Sequence, residues 1–134
     1  FHTAQKFIRE PLPYNLANIE EPVPDLNSMN KLAKRHNVNI SSHCTSTDLL
    51  TNYKYIDGAV GEPHAEGSIL GCRDLSERLS AIGKRYWFRS VWEAGVSWSA
   101  MCHMSVSFPS LRRPMQALIN HLKDDLIEEE DYET

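Results

Sequence analysis

The sequence predicts an α/β fold, a small sheet flanked by helices, with an N-terminal extended arm and a long C-terminal helix. Three observations carry this. Short runs rich in β-branched and aromatic residues occur at Val38-Asn39-Ile40-Ser41, at Tyr53-Lys54-Tyr55-Ile56 and from Tyr86 to Trp92. Between and after them, apolar residues recur every three or four positions, the spacing of one helix face. A length of 134 residues with 41% hydrophobic and 24% charged residues suits one globular domain. The expected organisation is an arm over 1–24, a single α/β domain over 25–127 and an acidic tail over 128–134.

The arm carries Pro11, Pro13, Pro22 and Pro24, with Glu20-Glu21 between them. Proline removes a donor and breaks helices, so an extended strap packed on a neighbour is expected. Asp25 is an N-cap residue type, and Leu26, Met29, Leu32 and Ala33 follow at helical spacing. Lys31, Lys34 and Arg35 place positive charge near the carboxyl end of that helix, as a solvated face that complements the dipole or as a nucleic-acid patch. Val38–Ser41 is the first strand, with a brief helical turn capped by Ser46 or Thr47 after it. Tyr53–Ile56 is the second strand, closed by the turn pair Asp57-Gly58.

From His64 to Ile82 the sequence predicts a helix. Ala65, Ile69, Cys72, Leu75, Leu79 and Ile82 lie near one stripe, Pro63 precedes it and Gly83 suits its end. Tyr86–Trp92 is the strongest strand, its aromatics a core row or a base-stacking platform. Ala100–Val106 is a short helix, and Met115, Leu118, Ile119, Leu122 and Leu126 make a long one. Glu128 to Glu133 is a solvated acidic run.

A net charge of −4 disfavours a broad electrostatic grip on nucleic acid. No apolar run reaches the roughly 20 residues that span a bilayer, so no membrane partner is expected. Three cysteines, Cys44, Cys72 and Cys102, at wide spacing do not form a secreted disulfide framework. Reduced thiols and an intracellular location, cytoplasmic or nuclear, follow as expectations. The chain opens at Phe1 without Met, which suggests a piece of something longer.

The chemistry-bearing stretch is Pro63-His64-Ala65-Glu66, together with Gly95-Val96-Ser97-Trp98-Ser99-Ala100-Met101-Cys102-His103-Met104. His-x-Glu at a helix start can set an imidazole on a metal and a carboxylate beside a metal-bound water. This pair of stretches resembles the two half-sites of the zinc-dependent cytidine deaminase superfamily, the AID/APOBEC group or fungal deaminase-like domains. Ser97-Trp98-Ser99 is similar to the Ser-Trp-Ser before that group's cysteine pair, and residues 67–99 match its gap. The resemblance spans about Val38 to Val106. Met101 and Met104 stand where the cysteines belong, and thioether is a poor zinc ligand beside thiolate. Shifted by one, Cys102 takes the first position and Ser105 the second.

The resemblance implies a deaminase-like three-layer arrangement and zinc as cofactor. Its ligands would be His64 and Cys102, with His103 or Cys44 to complete the set. Glu66 would be the catalytic proton shuttle and Trp98 would stack on a cytosine-like base. The partner would then be a nucleobase, a nucleoside or single-stranded nucleic acid. The alternative is a non-catalytic binding or assembly domain with a protein partner, which the missing thiolate favours.

Overall fold

The computed structural model describes residues 1–10, 16–89, 95–108 and 111. The expected C-terminal helix around Met115–Leu126, the acidic tail and Trp92 lie outside the described residues. The elements in order are α1 (His2–Arg9), β1 (Ile19–Glu20), α2 (Leu26–His36), β2 (Ile40–Ser42), α3 (Thr47–Thr51), β3 (Ile56–Gly61), α4 (Ile69–Ala81), β4 (Arg85–Phe88) and α5 (Gly95–Ser107). The α/β class is as expected. The extended arm is not: α1 occupies its first residues and buries Ala4 and Ile8, and β1 lies near its end.

The four strands run in the spatial order β1-β2-β3-β4, and every neighbouring pair is parallel. Parallel neighbours require a crossover, and α2, α3 and α4 lie in the three crossovers of this sheet. The helices bury one shared apolar cluster against Ile40, Ile56, Ala59, Tyr86 and Phe88. Val60 and Trp87 are also buried, yet stand outside that cluster. They are register partners one residue on from the Ala59–Tyr86 pair. Strand alternation therefore places them on the opposite face. Sequential parallel strands with helices along one face make a singly wound sheet, the arrangement of a barrel segment. That differs from the three-layer deaminase-like arrangement expected from the motif.

Local chemistry explains where the elements begin and end. Asp25 caps α2 by accepting from the Ser28 amide at 2.8 Å, and Asn37 closes it in the left-handed region at φ 51°. The second strand is displaced from its expected position. Tyr53 precedes it, and Asp57-Gly58 lies inside β3 instead of closing a strand. Gly58 makes this possible, because a Cβ there would stand 2.2 Å from the Arg85 carbonyl oxygen. At the start of β3 the Lys84 ammonium donates to the carbonyls of Tyr53 at 2.8 Å and Ile56 at 2.6 Å. Among the described residues no helix is long and apolar enough to cross a membrane.

Candidate functional site at the carboxyl edge of the sheet

In a parallel sheet all carboxyl ends of the strands open on one edge. Loops leaving that edge converge without having to satisfy a ladder, so ligands gather there. Here the residues leaving the four strands are Glu20 and Glu21, Ser42 and His43, Glu62, and Arg89. Glu21 and His43 stand 22 residues apart in sequence and Glu62 and Arg89 stand 27 apart, and strand pairing brings each pair together.

Glu21 is the tightest point of the edge. Its backbone sits at φ 40°, a left-handed conformation that a side chain rarely adopts. Such strain persists where surrounding contacts hold it, and it clusters at functional sites. The contacts are plain. The Glu21 amide donates to the Ser41 carbonyl at 3.1 Å. Its carboxylate accepts from the Ser42 hydroxyl at 3.1 Å and from the His43 amide at 2.9 Å. The second carboxylate oxygen meets His43 Nδ1 at 3.1 Å. Partial burial works against ionisation, but the His43 amide, the His43 ring and the Ser42 hydroxyl outweigh it and hold the Glu21 carboxyl below the usual range.

The other ring nitrogen, Nε2, lies 2.8 Å from Glu20 Oε1. It makes no hydrogen bond there, and the contact is an ion pair only when the ring is protonated. His43 therefore lies between two carboxylates, and in the doubly protonated ring both nitrogens are donors. One strand over, Arg89 extends the β4 ladder through its amide to the Gly61 carbonyl at 3.0 Å. Its Nε donates to Glu62 Oε1 at 2.7 Å, and Nη2 donates to the same oxygen. The other Glu62 oxygen lies 3.4 Å from His64 Nε2.

The residues named by the deaminase motif are placed differently. His64 and Glu66 precede a helix that starts only at Ile69. Gly67 takes a φ of +77° and Ser68 caps α4 by accepting from the Gly71 amide at 3.0 Å. The His64 side chain is 59% exposed and faces Glu62. Burial pushes the Glu66 carboxyl up, Arg78 pulls it back, and Glu62 adds to the rise. Cys102, His103 and Trp98 sit on α5, which begins at Gly95 and is longer than the expected Ala100–Val106 turn. His103 Nδ1 donates to the Ser99 carbonyl of its own helix at 2.8 Å. Burial raises the Cys102 thiol pKa, away from the thiolate a metal requires. Among the described residues no three His, Cys, Asp or Glu side chains are grouped to hold a metal ion. His64, Cys102 and His103 thus form no zinc cage, and Cys44, beside His43, adds none.

No family model matches the sequence, and the search of curated proteins found no match. Solved structures do match. An enolase from Gibberella zeae PH-1, complexed with magnesium, formate and sulfate, aligns at TM-score 0.81 and 18% identity over 96% of this chain and 31% of its own. An enolase from Pseudomonas fluorescens Pf0-1 with bound magnesium, potassium and tartrate aligns at 0.76 and 21% over 86% and 29%. A muconate cycloisomerase from Azorhizobium caulinodans aligns at 0.76 and 19% over 93% and 39%. The chain spans about a third of the length of these proteins. Their likeness replaces the deaminase resemblance and the zinc-dependent hydrolase drawn from it, and it lends no support to the non-catalytic alternative. The metal in the two enolase structures is magnesium, not zinc. What the chain shares with them is the fold, a run of parallel β-α units.

Proposed function

We propose that this chain forms part of an enolase-type active site, which removes a proton from the carbon beside a carboxylate. The observation that carries the reading is the convergence of Glu20, Glu21 and His43 at the carboxyl ends of adjacent parallel strands, in a fold shared with magnesium-bound enolases. Sites of that superfamily pair a Lys or His base with one or two magnesium ions.

The residues fit that chemistry. Magnesium takes oxygen donors and is bound through one or two carboxylates plus waters and substrate, not through a closed protein cage. Glu20 and Glu21 are the carboxylates that would hold it, and the depressed Glu21 pKa keeps that group ionised. When bound, magnesium supplies positive charge to offset the charge that builds on a carboxylate substrate losing its proton. His43, between the two carboxylates, is the group that would move the proton. The Glu21 carboxylate and the β2 backbone fix its ring through Nδ1 and the His43 amide. Ser42 holds Glu21 in turn, so the base rests on two neighbouring strand ends.

Deuterium uptake from D₂O at the carbon beside the carboxylate, measured on tartrate and other 2-hydroxy acids, tests this. Uptake should require magnesium, and His43→Asn should lower it at least 100-fold, the lower range of general-base effects. Absence of magnesium-dependent uptake with every acid would sink the reading.

A further inference from the structure

The opposite, amino edge of the sheet carries a cluster that proton transfer does not use. Helix α2 ends there, and the loop from α3 into β3 passes beside it. The Lys34 ammonium of α2 lies over the Tyr55 ring, 5.4 Å from its centre, and the Lys54 ammonium of the loop lies 5.9 Å from the same centre. An aromatic face attracts a cation, so one ring gathers two like charges from two elements. Tyr55 is 39% exposed, and both lysines are exposed. The loop is held from both sides. Asn30 Oδ1 on α2 accepts from the Tyr55 amide at 2.8 Å, and the buried Lys84 ammonium donates to the Tyr53 carbonyl at 2.8 Å.

The charge of this cluster is not balanced locally. Lys31, Lys34 and Arg35 stand at i, i+3 and i+4, so they share one side of α2, and like charges at that spacing repel. No residue of α2 is acidic, and Asp25, before its first turn, acts on Lys31 alone. None of the ion pairs among the described residues involves Lys34, Arg35 or Lys54. Helix α4 treats its surface differently. Arg73 meets Glu77 at 3.9 Å and Arg78 meets Asp74 at 3.0 Å, both one turn apart. The helix dipole accounts for basic residues in the last turn of α2. It does not account for Lys54, which lies outside any helix. An anion seated between α2 and the loop would relieve the repulsion.

Three observations select the anion. The ammoniums lie over the ring, where a nucleobase would have to stack. The chain as a whole is acidic, with a net charge of −4, which opposes a long polyanion but not a short segment that meets only the local field. The sequence also contains such a segment, since five of the six residues from Glu128 to Glu133 are acidic. We infer that Lys34, Lys54 and Tyr55 form the centre of a docking surface for an acidic peptide run, with Lys31 and Arg35 at its margin. This stands apart from the enolase-type reading and survives its failure.

Fluorescence anisotropy of a dye-tagged peptide Glu-Glu-Glu-Asp-Tyr-Glu, titrated with the protein at low salt, tests it. Binding should saturate and weaken as salt is added, because exposed charges are screened. Lys34→Ala and Lys54→Ala should each weaken it about 2- to 5-fold, the range of an exposed ion pair. Lys34→Glu combined with Lys54→Glu should abolish it, since attraction becomes repulsion. Lys34→Arg combined with Lys54→Arg should retain it, an outcome that separates charge from packing. Tyr55→Leu should weaken it with both lysines present, because the ring that gathers them is gone. Equal binding by wild type and the double glutamate variant would overturn the inference, as would a wild type that binds no peptide. A single-stranded oligonucleotide that binds through the same lysines more tightly than the peptide would overturn the choice of partner.

Discussion

The two edges of this sheet carry the same kind of ion pair and use it differently. At the amino edge Arg85 reaches across from β4 to Asp57 on β3, its Nε donating to Oδ1 at 2.9 Å. At the carboxyl edge Arg89 reaches across to Glu62. The difference lies in what surrounds them. At the amino edge Asp57 is the more buried partner, 12% exposed, and the ammonium beside it, Lys84, is sunk among backbone carbonyls. Those charges serve the start of two strands. At the carboxyl edge Glu20 and Glu21 flank His43, Glu62 meets Arg89, Glu21 is strained, and the Arg89 side chain is 30% exposed. Positive charge that closes a backbone serves the ladder, while charge at strand ends that feed loops lies where functional residues gather.

If that contrast is right, the largest stability loss comes from the amino edge. Lys84→Met should cost about 3 kcal/mol, because it removes a charged donor from carbonyls that stay buried. Burial lowers the Lys84 pKa and Asp57 opposes the fall, but the ammonium is retained by its acceptors. Denaturant unfolding measures this, and a loss below about 0.5 kcal/mol, the range of ordinary surface changes, would erase the contrast.

A smaller effect probes the packing beneath the carboxyl edge. A Cβ at Gly61 would stand 2.1 Å from the Tyr86 hydroxyl. Among the described residues that buried hydroxyl has no hydrogen-bond partner, and burial raises its pKa. Gly61→Ala should destabilise by about 1–3 kcal/mol, as overpacking does. Tyr86→Phe alone should be close to neutral, since it removes an unsatisfied group, and should recover part of the Gly61→Ala loss. A strictly additive double mutant would show that the two do not meet.

The smallest effects are pH-dependent and of opposite sign. Glu21 has a depressed pKa in the folded state, so it contributes stability above its ordinary value of 4.5, lost as pH falls through the folded value. Glu66 has a raised pKa, so its ionised form costs stability at neutral pH and costs nothing well below 4.5. Thermal unfolding against pH should show Glu21→Gln destabilising at pH 7 and Glu66→Gln stabilising there, with both differences fading below pH 4. Shifts of the same sign would contradict the environments described for the two carboxylates.

Some of this was readable in the chain itself. Helix α2 follows from Asp25, the Met29–Leu32–Ala33 stripe and Asn37, because capping and periodicity act within a turn or two. Cys72, Leu75 and Leu79 do face the core, and Tyr86 and Phe88 do pack in a buried strand. Nearer the site the local signals misled. His64-Ala65-Glu66 resembles a helix start, but Gly67 and Ser68 delay the helix, and Ala65 and Ile69 are exposed. Asp57-Gly58 has turn chemistry, yet the close approach of Arg85 needs that glycine inside a strand. Glu20-Glu21 stood among prolines with nothing local to mark them as a strand end.

The sequence by itself determined α2, the buried face of α4 through Cys72, Leu75 and Leu79, the apolar strand content and the α/β class, since each depends on residues within a few positions. Tertiary structure alone decided that Glu20 and Glu21 meet His43 and that Glu62 meets Arg89. No spacing rule links residues some twenty apart on separate β-α units. Their proximity comes from parallel hydrogen-bonded register, which aligns the ends of strands whatever the length of the helices between them.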